Sequence, residues 1–376
     1  MAHNIANQGL LKSYFVTLGM MLRDKAVVLM LIVAPIIYGF YYPWPYSPQI
    51  VRQSTIGIID NDRSDLARQI IRFAEASPNL VLKQYPDTRS AYHDLVQRKI
   101  EGYLTIPERL QSDVFLGNQV ILPGQVNGAY LLLGKSALTG MLGAVRTVSA
   151  GIELKRLAAQ GIGGEQATFI RDPVPLVINP LYNPNEGYGN YIVPAVSWLI
   201  LQQTLLIGAA LFIGTLTEQR RVAATATVWA GRVLALASIN MIMAVFYTGW
   251  VFVIQDFARG GNPLGNLILI VLFSTTTAAL GCLFGLWFKV RERALQILTF
   301  SSLPLFFVSG YSWPLNAMPE FLQYARWLTP STAAIQAGIH FNQMNATIHD
   351  NLHYLLGLAI LGLCAYLLLI RVGRHD

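Results

Sequence analysis

Charge is scarce in this sequence. Asp, Glu, Lys and Arg make up 12% of its 376 residues, about half the share an average soluble chain carries. With 53% hydrophobic residues and a mean hydropathy of +0.44, the chain reads as a polytopic membrane protein. Cysteine is nearly missing as well. Cys282 and Cys364 both fall inside apolar runs, which excludes a disulfide framework and leaves two small core hydrophobes. A complete phosphate loop is absent too. Gly128-Ala-Tyr-Leu-Leu-Leu-Gly134-Lys135-Ser136 comes nearest, but the first glycine of that motif would have to stand at Ala129. No nucleotide site is therefore expected on this chain. His349 and His353 stand four apart with Asp350 between them, yet no third metal ligand is visible. No catalytic residue, bound cofactor, metal or nucleic-acid contact is expected, and the chain is not read as an enzyme.

Charge is also missing from the apolar runs themselves. Six can be traced, at residues 26–42, 191–214, 233–254, 264–288, 294–308 and 352–370. None contains Asp, Glu, Lys or Arg, and His353 stands at the rim of the last. Proton- or ion-driven carriers need ionisable groups at membrane depth, so work against a gradient would need an external motor. The polarity that is present is mild: Gln202, Gln203, Asn240, Thr275, Thr276, Thr277, Ser301 and Ser302. Such residues bridge helices at modest cost.

What charge there is clusters. Residues 47–187 hold 14 Lys/Arg and 13 Asp/Glu, leaving 13 basic and 7 acidic groups elsewhere. With the N-terminus inside, Lys12, Arg23, Lys25, Arg220, Arg221, Arg232, Lys289, Arg291, Arg293, Arg371 and Arg374 are cytoplasmic. Only Arg259 and Arg326 then lie on short outer loops. Eleven against two follows the positive-inside rule. The expected architecture has six transmembrane helices, cytoplasmic termini, and an extracytoplasmic α/β domain inserted between helices 1 and 2. Its parts are an amphipathic interfacial helix (1–25), transmembrane helix 1 (26–46), the α/β domain (47–187) and a five-helix transmembrane domain (188–376). In the first, Leu10, Tyr14, Leu18 and Met21 recur at helical spacing while Lys12, Ser13, Thr17, Arg23 and Asp24 take up much of the remaining surface. In the third, strands are expected at 54–60, 80–85, 101–106 and 119–122. Helices fall between them, one capped by Ser64, and one long helix or a broken pair follows over 130–160.

Two stretches carry the functional reading. Residues 309–345, between the last two apolar runs, are too apolar for a wet loop and too broken to span. Ser309, Gly310, Pro314, Met318, Pro319 and Pro330 punctuate them, and Trp313, Phe321, Tyr324 and Trp327 suit headgroup depth. A re-entrant or interfacial segment is expected there. The other stretch is the cytoplasmic loop, where Glu218, Gln219, Arg220 and Arg221 close one span and Gly231-Arg232 opens the next.

The Ser-Gly, Pro, Met-Pro order, closing on Pro330, resembles the end of the ABC transmembrane type-2 permeases, in the subfamily with a long extracytoplasmic insert. In that family the loop holds an acidic–basic cluster, a Gly-Thr and a Gly-Lys. Here Glu218 and Arg220 match the cluster, Ala224-Thr225 stands for Gly-Thr, and Gly231-Arg232 for Gly-Lys. The resemblance implies the permease subunit of an ATP-driven exporter in the cell inner membrane. It implies a cytoplasmic ATPase carrying ATP and Mg, a second permease (identical or sister), and contact with membrane lipids, and it leaves room for a periplasmic adaptor. Two rocking permeases would push a hydrophobic or amphipathic drug, lipid or glycan precursor outward. Glu218, Gln219, Arg220, Arg221 and Arg232 would couple to the ATPase. A pathway and outer gate are expected from Gln202, Leu205 and Leu206 on the second span and Leu305, Phe306, Phe307 and Gly310 on the fifth. The alternative is a membrane-anchored receptor or scaffold whose outer domain binds a ligand or partner.

Overall fold

A computed structural model describes residues 9–50 and 52–374. Residues 1–8 of the expected interfacial segment, Val51 of the α/β segment and residues 375–376 of the last segment lie outside them. The chain divides into two compact units, one of Met1–Gln49 with Pro180–Asp376 and one of Ile50–Asn179. The first unit opens with α1 (Leu10–Arg23) and α2 (Lys25–Tyr46). Asp24 separates them: its backbone is extended, and its carboxylate accepts from the Ala26 and Val27 N–H groups that open α2. Pro35 has no N–H to give, and the turn ahead of it widens to π geometry over Leu29–Val33.

The second unit is α/β. Its elements run β1 (Ser54–Asp60), α3 (Asp65–Glu75), β2 (Leu80–Gln84), α4 (Thr88–Val96), β3 (Gly102–Ile106), α5 (Leu110–Phe115), β4 (Gly124–Val126), α6 (Leu131–Ala159) and α7 (Gly164–Arg171). The sheet order is β2-β1-β3-β4, with β1 parallel to both neighbours and β4 antiparallel to β3. β1 is buried on both faces, as its unbroken apolar run requires. Ile56 and Ile58 pack on one side with Leu66, Ile70 and Met141 of α3 and α6. Ile59 packs on the other with Ala91 and Ile100. Ser64 caps α3 by accepting from the Ala67 N–H. The expected fourth strand is misplaced. Val120 and Leu122 pack onto the core without joining a ladder, and pairing starts at the Pro123 carbonyl, which accepts from Thr105 N–H. Pro123 itself cannot donate. The phosphate-loop look-alike is helix: Gly134-Lys135-Ser136 lies inside the first turns of α6.

Back in the first unit come α8 (Tyr188–Glu218), α9 (Ala226–Ile254), α10 (Pro263–Phe288) and α11 (Arg291–Val308). Then follow α12 (Glu320–Ala325), α13 (Pro330–Asn342) and α14 (Leu352–Val372). α8 is apolar all round, so it sits in the middle, with 89% of its most apolar stretch buried, against 22% for α14. Gly281 and Gly285 bring α10 against α8, because a Cβ at either would meet Ala209 or Ile213 at 2.7 Å. That is the small-xxx-small contact of membrane helices. Asn240 donates to Ser274 at 3.0 Å and Thr276 to the Leu358 carbonyl at 3.0 Å, tying α9, α10 and α14. Among the described residues five helices are long and apolar enough to cross a membrane: α2, α8, α9, α10 and α14. α11, the expected fifth of six crossings, has 18 residues and opens on Arg291, Glu292 and Arg293.

The interfacial helix needs correcting. Ser13 and Thr17, expected on the surface beside the apolar stripe, are buried, and Ser13 donates to the Val228 carbonyl of α9 at 3.0 Å. Leu10, Leu11, Phe15 and Leu22 are exposed instead, alongside Lys12 and Arg23. Beside a bilayer, large apolar side chains need no protein cover, whereas small hydroxyl residues let helices approach and find partners.

Candidate functional site

At one end of the helical unit, the α8–α9 connection is built to be rigid. Leu216 and Thr217 carbonyls hold the Arg221 and Arg220 N–H groups, and Arg220 adopts φ +54°. Val222 and Ala224 turn inward while Arg220, Arg221 and Ala223 face out. Arg232 closes the loop from inside. It is 2% exposed, donates Nη1 to the Val222 carbonyl at 2.6 Å and Nη2 to the Arg221 carbonyl at 3.3 Å, and lies 4.6 Å over the Trp229 ring. The chain's far end is stitched to the same loop. Ala224 N–H and Trp229 Nε1 both donate to the Gly373 carbonyl, and Tyr366 Oη donates to Ala226.

A second fastening stands beside it. The Arg291 guanidinium makes two 2.7 Å bonds to the Asp24 carboxylate and a 2.8 Å bond to Thr215 Oγ1, while its backbone N–H donates to Glu218 Oε1 at 3.0 Å. Three helix ends meet here: the start of α2, the end of α8 and the start of α11. The Asp24 carboxyl is held below the usual carboxylate range, first by the Arg291 bonds and then by the Val27 and Ala26 N–H groups, against partial burial.

The opposite end of α11 carries the Ser-Gly segment. Ser309 Oγ donates back to the Phe306 carbonyl at 2.6 Å, and Gly310 turns the chain at φ +76°, where a Cβ would also collide with Leu315. Tyr311 stacks on Tyr191 of α8, ring centres 4.8 Å apart, and each hydroxyl donates to the other residue's carbonyl. Pro314 and Pro319 precede the short turns Leu315–Ala317 and α12. Pro330 occupies the first turn of α13, where its missing N–H leaves no helix bond unmade. α13 is buried along most of its length, and at 13 residues it is about 20 Å long, too short to span. Gln202 Oε1 accepts from the Ser331 N–H at its start, and Gln336 Nε2 donates to the Ser309 carbonyl. Gln202 Nε2, Gln203 Oε1 and Ser331 Oγ are buried and have no hydrogen-bond partner among the described residues.

The expected site residues thus separate. Gln219, Arg220 and Arg221 are exposed, and Glu218 is exposed but engaged with Arg291. Arg232 is a correction: it is buried, because the loop carbonyls need a donor, and it can reach a partner only through the loop it holds. Leu205 and Leu206 pack inside the unit, Leu206 with its backbone against Gly281, and Gln202 is a cap for α13. α8 is enclosed by its own chain. Phe306 also turns inward, Leu305 is half-buried, and Phe307 faces out with Phe300 and Leu303. Met318 is half-buried and Pro319 exposed. Asp24, Tyr191 and Gly373 were missed as site residues. The only visible signal was an aspartate breaking the chain before the first apolar run.

Compared with known proteins, the chain matches the family described as ABC-2 family transporter protein over residues 25–371. It is 24% identical over 338 residues to the linearmycin resistance permease protein LnrN of Bacillus subtilis (strain 168), covering 83% of each chain. It is 25% identical over 163 residues to the probable multidrug ABC transporter permease YbhR of Escherichia coli (strain K12), covering 41% of this chain and 44% of that one.

Proposed function

This chain belongs to the ABC-2 family of transporter proteins, and we propose that it is the permease half of an exporter that moves amphipathic compounds outward, with ATP hydrolysed by a separate chain. Membership and the relatives' names support a membrane subunit of an ABC transporter in the cell membrane. The observation that carries the coupling part is the clamped α8–α9 loop. Arg232, Trp229 and Gly373 hold it from within, while Arg220 and Arg221 face outward. A loop stiffened in this way transmits force from a docked ATPase into α8 and α9 instead of absorbing it.

Six crossings, with the loop and both termini cytoplasmic, fit the positive charges around it. α11 is the sixth. Its first residue is bonded to Glu218 at one end of α8, and Tyr311, just past its last, to Tyr191 at the other. It therefore runs antiparallel to a helix long enough to span. Residues 47–187 then lie outside the cytoplasm. A second permease packs on the outward face of α11, where the Gln296 amide stands exposed among Leu295, Phe300 and Leu303. The Thr299 hydroxyl already donates to the Leu295 carbonyl. A free amide at that depth calls for protein rather than lipid. Leu303, Phe307 and the turn at Gly310 border the exit. The names of the relatives point to antibiotic-like substrates.

Inside-out vesicles carrying the permease and its ATPase test this reading. Added ATP should drive an amphipathic dye into the lumen, and permease-free vesicles should not accumulate it. Accumulation in right-side-out vesicles loaded with ATP would reverse the direction. Failure of any ATPase to co-purify would remove the coupling.

A further inference from the structure

The α/β unit contains a cleft that the export reading does not use. β1 leads through α3 to β2 on one side, and β2 leads through α4, on the other face, to β3 on β1's far side. The connections therefore diverge between β1 and β3. In open parallel sheets, the crevice at the carboxyl ends of the strands beside such a divergence is where ligands bind. A cleft of about 590 Å³ lies there, within the range of small-molecule sites. It is lined by residues ending or following all three parallel strands: Asp60, Asn61 and Arg63 after β1, Gln84 and Tyr85 after β2, and Glu108 after β3.

Its walls are fixed and its polar groups are free. Asp60 Oδ1 is held by the Asp62 and Arg63 N–H groups, leaving its other oxygen uncommitted. Tyr85 Oη donates to Asp94, which Lys83 and Lys99 also hold, so that wall does not swing. The side chains of Asn61, Arg63, Gln84 and Glu108 have no hydrogen-bond or ion-pair partner among the described residues, although all four border one cleft. Two carboxylates, one guanidinium and two amides call for a ligand with both charges. We propose that the cleft binds a small zwitterion of the amino-acid type, its ammonium met by Asp60 and Glu108 and its carboxylate by Arg63. Asn61 and Gln84 would read the remaining polar atoms.

The full-length protein in detergent, titrated with each of the twenty free L-amino acids, tests this. Glucose and inorganic phosphate serve as controls, and the readouts are thermal shift and calorimetry. At least one amino acid should saturate, and Glu108→Gln and Arg63→Gln should each weaken it tenfold or more. Both residues are exposed, so the unliganded melting temperature should not move, which separates lost binding from lost fold. The proposal is overturned if no amino acid saturates, if only glucose or phosphate does, or if neither variant changes the affinity. These outcomes leave the export reading standing, since that is tested by ATP-driven transport.

Discussion

Asp24 and Arg291 are 267 positions apart in the chain, yet they form an ion pair held by two 2.7 Å bonds. Both are partly buried, with side chains 18% and 26% exposed, so the pair escapes most of the screening that weakens surface bridges. Asp24→Asn and Arg291→Gln should each lower stability by about 1–2 kcal/mol, the range for charge-assisted bonds in partial burial. The double variant should lose little more than the larger single loss. Melting temperatures of all four proteins measure this, and additive losses would mean the two residues do not act as a pair. The pH dependence has a definite sign. The folded Asp24 pKa is depressed, so its contribution is present above the ordinary carboxylate pKa and disappears only as pH falls through the lowered value. Neutral and mildly acidic media should leave the clamp intact.

The α8–α9 connection behaves as an element in its own right. Its outer and inner residues should respond differently. Arg220→Glu with Arg221→Glu changes only exposed charges, so the ATPase should cease to co-purify while the melting temperature stays put. Glu218 is left out of that variant because its carboxylate holds the start of α11. Arg232→Ala should instead destabilise by about 2–3 kcal/mol, since the buried Val222 carbonyl and the partly buried Arg221 carbonyl lose a charged donor. An unchanged ATPase complex in the double reversal would reduce the two arginines to orientation signals. The element pattern itself was readable from periodicity. Over 130–160, though, the spacing fits one long helix or a broken pair equally, and the structure has one. β1 and the Ser64 cap follow from apolar spacing and capping chemistry. The displaced β4 does not, because alternation at Val120 and Leu122 looks the same whether the residues pair or only pack.

For the whole molecule, labelling reads orientation and cross-linking reads partnership. Single cysteines at Glu75 and Arg89, both exposed, should react with an impermeant thiol reagent from outside cells, in a background lacking Cys282 and Cys364. One at Arg293 should react only after permeabilisation. The reverse pattern would invert every assignment of side. Cysteines at Phe300 or Leu303 should cross-link two permeases, whereas one at Leu206 should not, because α10 covers it. Cross-links from Leu206 alone would move the permease interface from α11 to α8.

The amino-acid sequence alone determined that this is a membrane protein of long apolar helices with a charge-rich α/β unit, and its motif order pointed to the right family. Those properties are local: apolar run length, strand period, caps and flanking charge are all set by near neighbours. Which face of each helix turns inward was decided only by tertiary structure. In a bilayer a leucine is equally at ease against lipid or protein, so apolar spacing does not say where Leu206 or Phe307 points. The same holds for charge: Arg232 and Arg291 read alike as anchors beside a span. Only the packed bundle, which brings the Val222 carbonyl to one and the Asp24 carboxylate to the other, separates a buried brace from a clamp between helix ends.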